Sequence, residues 1–145
     1  MADLLPHSPA DIVRRALIAR GDASDPPAVT WPLYANREPT YPDNCLTLYD
    51  TQGFDNGRIM VSGERMERRG LQLRIRSETA KVGYIKASAL RNAFSAIYDA
   101  SVTIEGTNYR VHAVSVSNNI LYLGRDWNSA RFLHTLNVLA ILKTV

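Results

Sequence analysis

The sequence is poor in the residues that perform chemistry. Its 145 residues hold one cysteine and three histidines. A lone Cys45 excludes an internal disulfide and a cysteine-based metal site. It stands among leucines in a strand-like stretch, which reads as a small buried hydrophobe rather than a reactive thiol. His7, His112 and His134 are far apart, and none stands three or four residues from another ligand on a helix. His112 and His134 fall on expected strands with no carboxylate paired to them nearby, and spacing alone leaves open whether the fold brings them together. There is no Gly-x-Ser-x-Gly elbow, phosphate loop or dinucleotide fingerprint, and Gly53-Phe54-Asp55-Asn56-Gly57 is spaced like a turn. Asp43, Asp50 and Asp55 sit at strand ends or in a turn, where a carboxylate commonly bonds the local backbone. These absences argue against an enzyme, and no cofactor or metal is expected. The longest apolar run, 138–142, is far too short to span a membrane. The first residues carry neither the basic cluster nor the apolar segment of a signal peptide. Synthesis in the cytosol with no membrane contact is the expectation.

What is present suits one core. The length accommodates a single domain over 1–145, and 46% hydrophobic residues is ordinary for a globular chain. Seventeen Lys and Arg against fourteen Asp and Glu leave a net charge of +3. The bases are dispersed among acids, so contact with nucleic acid is allowed but not demanded.

In chain order, 8–20 predicts a first helix. Ser8 suits the N-cap, Pro9 the first helical position, Asp11 the positive end and Gly21 the stop. Ile12, Val13, Ala16 and Leu17 form its buried stripe, leaving Arg14, Arg15 and Arg20 on a solvated face. After a loop with Pro26-Pro27, residues 29–34 predict a strand near a sheet edge, because Pro32 interrupts it. A second helix is expected over about 79–99, with Val82, Ile85, Ala89, Ala93, Phe94 and Ile97 as its apolar stripe. From 101 the pattern is an antiparallel meander, turning at Glu105-Gly106-Thr107 and again at Ser117-Asn118-Asn119, with 120–123 returning along the previous strand. Asp126-Trp127-Asn128-Ser129 makes a further turn, and 131–143 fits either a helix or a strand.

The most informative stretch is 41–76. Cys45, Thr47 and Tyr49 alternate with Leu46, Leu48 and Asp50. Later, Leu71, Leu73 and Ile75 alternate with Gln72, Arg74 and Arg76, as in a half-buried strand with a cationic outer face. Between them lies a long polar segment, 53–69, rich in glycine and carrying Arg58, Arg65, Arg68 and Arg69. A loop this long in a small domain is usually functional or disordered, and the plainer alternative is a solvated hairpin with Ile59, Met60 and Val61 as a short strand. Trp31, Tyr34, Tyr41 and Tyr49, with Arg37, could form a surface patch, though core packing is an equal reading for Trp31 and Tyr49.

The order Pro42-Asp43-Asn44-Cys45-Leu46-Thr47-Leu48-Tyr49-Asp50-Thr51-Gln52-Gly53, a polar loop, Leu71-Gln72-Leu73-Arg74-Ile75-Arg76 and then an amphipathic helix resembles the tail terminator (minor capsid, tail-completion) proteins of long-tailed bacteriophages. The likeness covers roughly 8–143. It also tips 131–143 toward a strand, through Thr135-Leu136-Asn137-Val138. The implied fold is α+β, a twisted mixed or antiparallel sheet of about six to seven strands with two helices packed on one face.

The resemblance implies a structural virion protein, made in the host cytoplasm and placed at the head-proximal end of the tail. It would form a hexameric ring that caps the tail tube, stops polymerisation and joins the head. Its partners would be its own copies, the tube protein, a head-completion protein and DNA passing through the lumen without sequence-specific contact. From the residues themselves, the glycine- and arginine-rich segment and the cationic strand face make Arg58, Arg65, Arg68, Arg69, Arg74 and Arg76 the expected interface arginines. Two alternatives stand beside this reading: a head-completion or stopper protein of the same assembly, and a small nucleic-acid-binding module. The last predicts a contiguous basic face with exposed aromatics and a monomer that shifts DNA.

Overall fold

The computed structural model describes residues 5–52, 54–58, 65–126 and 131–145, with only the backbone at 54–58 and 65. The first helix, α1 (Pro9–Arg20), starts and stops on the expected residues. Ser8 accepts the Asp11 N–H at the N-cap, and Gly21 closes the helix at φ 83°, a left-handed conformation that glycine adopts without strain. Ile12, Val13, Ala16 and Leu17 are all buried. Arg14 departs from the solvated face assigned to it. Its Nε donates to the Leu33 carbonyl at 2.8 Å and its guanidinium meets Asp25, tying α1 to the next strand.

Four strands follow: β1 (Leu33–Ala35), β2 (Cys45–Asp50), β3 (Phe54–Arg58) and β4 (Arg65–Ser77). After them come α2 (Ala80–Ala96), β5 (Tyr98–Ile104), β6 (Thr107–Val116), β7 (Leu121–Arg125) and β8 (Phe132–Thr144). The sheet runs β1-β2-β4-β8-β6-β5, with β3 also paired to β4 and β7 to β8. Only β1 and β2 pair in parallel among these, so the architecture is α+β with a mixed sheet. The 131–143 segment is therefore strand, and β1 lies at the sheet edge as expected, although it covers only Leu33–Ala35 and Pro32 precedes it instead of interrupting it.

Two long strands form the spine. β4 and β8 pair antiparallel in unbroken register from Glu67↔Leu142 to Ser77↔Phe132. Alternation then sends Leu71, Leu73 and Ile75 with Leu136, Val138, Ala140 and Leu142 to one face. Leu46, Leu48, Tyr109 and Val111 join them from the neighbouring strands, and both helices cover this face.

Each outer edge of the spine is occupied by two strands in line. β2 pairs with Leu71–Arg76 of β4, and β3 continues along the same edge to Arg65–Arg68. The polar segment 53–69 is thus strand over Phe54–Arg58 and again from Arg65, while 59–64 lies outside the described residues. Pairing of β3 with β4 supplies backbone partners that the arginine- and glycine-rich composition does not advertise. At the junction the chain crosses so close to Gly70 that a Cβ there would stand 2.4 Å from the Gln52 carbonyl oxygen.

On the other edge, β6 pairs with Val138–Thr144 of β8 and β7 with Phe132–Thr135, both antiparallel. Hence Ser117-Asn118-Asn119 does not reverse the chain, and β7 extends β6 instead of returning along it. Asn118 Oδ1 accepts the Asn137 N–H at 2.9 Å, bridging the break to β8. The reversal at Glu105-Gly106 is real: both residues have positive φ, as a two-residue hairpin turn requires, and Ile104 pairs with Thr107. The turn expected at 126–129 falls largely outside the described residues.

The second helix begins at its Thr79 cap, ends at Ala96 instead of about 99, and buries Ala93, Phe94 and Ile97 as expected, but its first half presents a different stripe. Gly83, Ala87, Leu90, Ala93 and Phe94 are buried, whereas Val82, Ile85 and Ala89 are exposed. A Cβ on Gly83 would lie 2.3 Å from Ser77 Oγ and 2.9 Å from His134 Nδ1. That close approach, available only to glycine, turns the helix by about one residue from the expected face.

Candidate functional site

The candidate catalytic groups are occupied in holding the chain together. Asp50 Oδ1 accepts the Ala10 N–H at 2.9 Å and Oδ2 accepts from Asn36 Nδ2 at 2.7 Å, which fixes the start of α1 to β2. Asp43 pairs with Arg131 at 2.9 Å. Cys45 is fully buried, and burial pushes its thiol up to about 11, so little thiolate exists at neutral pH.

The histidines are not gathered. His7 bonds the phenol of Tyr109 and approaches Glu105 at 3.3 Å. His112 lies at the bulge of β6, where its Nε2 is buried without a partner among the described residues. His134 faces α2 from β8, between the rings of Tyr84 and Tyr122. Among the described residues, no group of His, Cys, Asp and Glu could hold a metal ion, and no helix is long and apolar enough to cross a membrane.

The aromatic set divides by exposure, with Tyr34 and Arg37 lining one open cleft beside α1. Trp31 lies beneath Lys86, whose Nζ is 5.6 Å from the ring centroid. Tyr41 is exposed, and Tyr34 and Tyr49 are half-buried. Desolvation lowers the Lys86 pKa, against a smaller opposing pull from Asp22.

The six arginines separate into three environments. Arg76, expected on a solvated face, is only 4% exposed. Its guanidinium donates to the carbonyls of Pro42 at 2.7 Å and Asp43 at 3.3 Å, because the 36–44 segment folds over that end of the sheet's outer face. Arg74 meets Glu38 of the same segment at 3.4 Å. Arg69 donates from Nε and Nη2 to Glu67 Oε2 at 3.1 and 3.0 Å, neutralising a carboxylate that is 3% exposed. Arg68 is exposed on β4, and Arg58 and Arg65 are paired across the β3–β4 ladder. This last group shares one end of the spine.

The sequence reasoning missed a different surface. Val82, Tyr84 and Ile85 of α2 and Leu121, Tyr122 and Leu123 of β7 are all between 41% and 58% exposed. Ala80, Lys81, Tyr84, Ile85, Tyr122 and His134 line an open cleft of about 600 Å³ between the two elements. The signal was present in the run Leu121-Tyr122-Leu123, which is apolar at consecutive positions and so cannot be buried on one face of a strand.

Comparison with known proteins gives the following. A family profile described as "Bacteriophage tail terminator protein" matches residues 16–144. One solved structure is 16% identical, covers 92% of this chain and 94% of its own, and superposes with a TM-score of 0.53, a likeness of fold. A chain from a structure titled "Virion of native gene transfer agent (GTA) particle" is 12% identical, with coverage of 92% and 87% and a TM-score of 0.48. No curated protein matches the chain.

Proposed function

The chain belongs to the bacteriophage tail terminator family, structural proteins of the phage virion, and from this we propose that it forms a hexameric head-to-tail ring on the tail tube. The ring stops polymerisation of the tube at its head-proximal end and presents the surface that a head-completion protein joins. DNA passes through its lumen without sequence-specific contact. The observation that carries this reading is the profile match over 16–144. The fold supports it: β1 and β5 end the sheet, and β3 and β7 each pair with one strand among the described residues. Open strand edges suit a heterologous contact that closes into a ring.

Within this reading, Arg58, Arg65 and Arg68 are the arginines that meet a neighbouring subunit, the tube or the DNA. Arg69 and Arg74 serve that role only secondarily, since each has an internal carboxylate partner, and Arg76 serves the fold. Carboxylates of a partner would accept bidentate pairs from such a group, and DNA would offer phosphates.

The test is Arg65→Glu combined with Arg68→Glu. The purified double variant should melt as the wild type does, yet give abnormally long tails or heads that fail to join. Normal particles from this variant would remove the β3–β4 end from the interface. A monomer that loses salt-dependent DNA binding would instead favour the nucleic-acid module.

A further inference from the structure

Among the described residues, Val82, Tyr84 and Ile85 of α2 and Leu121, Tyr122 and Leu123 of β7 stay exposed. Beyond the exposed side chains on both its faces, β7 pairs with β8 alone among the described residues, so its outer backbone row is open. A strand that is apolar on both faces and unpaired on one edge is a template for another strand. Contiguity is built by aromatic contacts: His134 lies 6.3 Å from the Tyr84 ring and 5.2 Å from the Tyr122 ring, centroid to centroid.

Charge narrows the choice of occupant. Between Ala80 and Ala96, α2 carries Lys81, Lys86 and Arg91 and no acid, and β7 carries Arg125 and no acid. The fitting partner is therefore an acidic strand with exposed apolar side chains. The chain itself contains one. β5 and its turn carry Asp99 and Glu105 and no base, β5 ends the sheet, and Tyr98 is 76% exposed. Asp99 and Glu105 both lie at the surface, although Arg110 and His7 already touch them.

We propose that the β7–α2 surface of one copy receives the β5 edge of the next. This rests on the ring reading and specifies its contact. Two different surfaces meet, as a head-to-tail ring demands and a two-fold dimer does not. Tyr98 would enter the cleft beside Tyr84 and Tyr122, and Lys81 and Arg125 would face Asp99 and Glu105. The β5 and β7 edges would continue one sheet into the next subunit.

A mixing experiment tests it. The surface variant is Ile85→Glu with Tyr122→Glu; the edge variant is Tyr98→Arg with Glu105→Arg. Tyr98→Arg alone is included because Glu105 also contacts His7. All four positions are exposed, so thermal melting should be close to wild type. Assembly is followed by sedimentation in solution and on isolated tail tubes. Each variant alone should lose assembly, and an equimolar mixture should form a two-subunit species and nothing larger. One intact surface and one intact edge remain in that mixture. A surface variant that assembles like the wild type, or a mixture that stays monomeric, overturns the pairing, even if tube or head joining is lost. A wild type that is monomeric both free and on tubes defeats the ring reading itself.

Discussion

Gly83 sets how closely α2 lies on β8. Replacement by alanine improves helix propensity by about 1 kcal/mol. The added methyl, however, would stand 2.3 Å from Ser77 Oγ, which is fixed by donating to the Thr79 carbonyl at 2.8 Å. Overpacking of this kind costs about 1–3 kcal/mol, so the clash should win. Gly83→Ala is expected to lower stability in chemical denaturation, and a stabilised variant would show that the helix stands off the sheet. His134, beneath the same glycine, is depressed below its ordinary value of 6.5 by burial. Its neutral form is the one the fold accommodates. The stability linked to it is complete above pH 6.5, declines as pH falls below that value and levels once the folded ring is protonated. His134→Gln should flatten that part of the melting profile against pH, and an unchanged profile would assign the slope to other groups.

The elements divide by how local their causes are. Helix α1 was legible down to its caps, because Ser8, Pro9 and Gly21 act within one turn of themselves. The spine was legible because Leu71, Leu73 and Ile75 alternate without interruption. Helix α2 was placed correctly and Ala93, Phe94 and Ile97 are buried as expected, but its first half was not, since Val82, Ile85 and Ala89 continue that spacing as well as Gly83, Ala87 and Leu90 do. Only the close contact at Gly83, a tertiary fact, chooses between the two stripes. Ser117-Asn118-Asn119 and the 53–69 segment failed for a related reason. Turn-forming residues mark a break in a strand as well as a reversal, and the length of the β8 and β4 edges decides which. The rotation of α2 has a direct mutational consequence. Leu73→Ala or Phe94→Ala should each cost on the order of 3 kcal/mol, because both side chains are fully buried. Ile85→Ala, at 58% exposure, should stay within about 0.5 kcal/mol of wild type. A large loss at Ile85 would restore the stripe read from periodicity.

For the whole molecule, family membership points to a structural component of the phage virion, and contact between copies is the proposed form of its assembly. The candidate site was only partly legible at this scale. Arginine clustering was visible in the sequence, but burial of Arg76 and pairing of Arg69 and Arg74 depend on segments far along the chain. The β7–α2 surface escaped because periodicity puts Val82 and Ile85 in the buried stripe and reads 120–123 as a strand returning along β6. A ring contact of ordinary stability needs roughly 800 Å² from each partner. The most direct measurement is negative-stain imaging of purified protein incubated with tail tubes, with native mass spectrometry of the released complex. The account predicts a closed ring of hexameric mass at one end of each tube. Monomers bound along the tube, or a two-fold dimer in place of a ring, would contradict it.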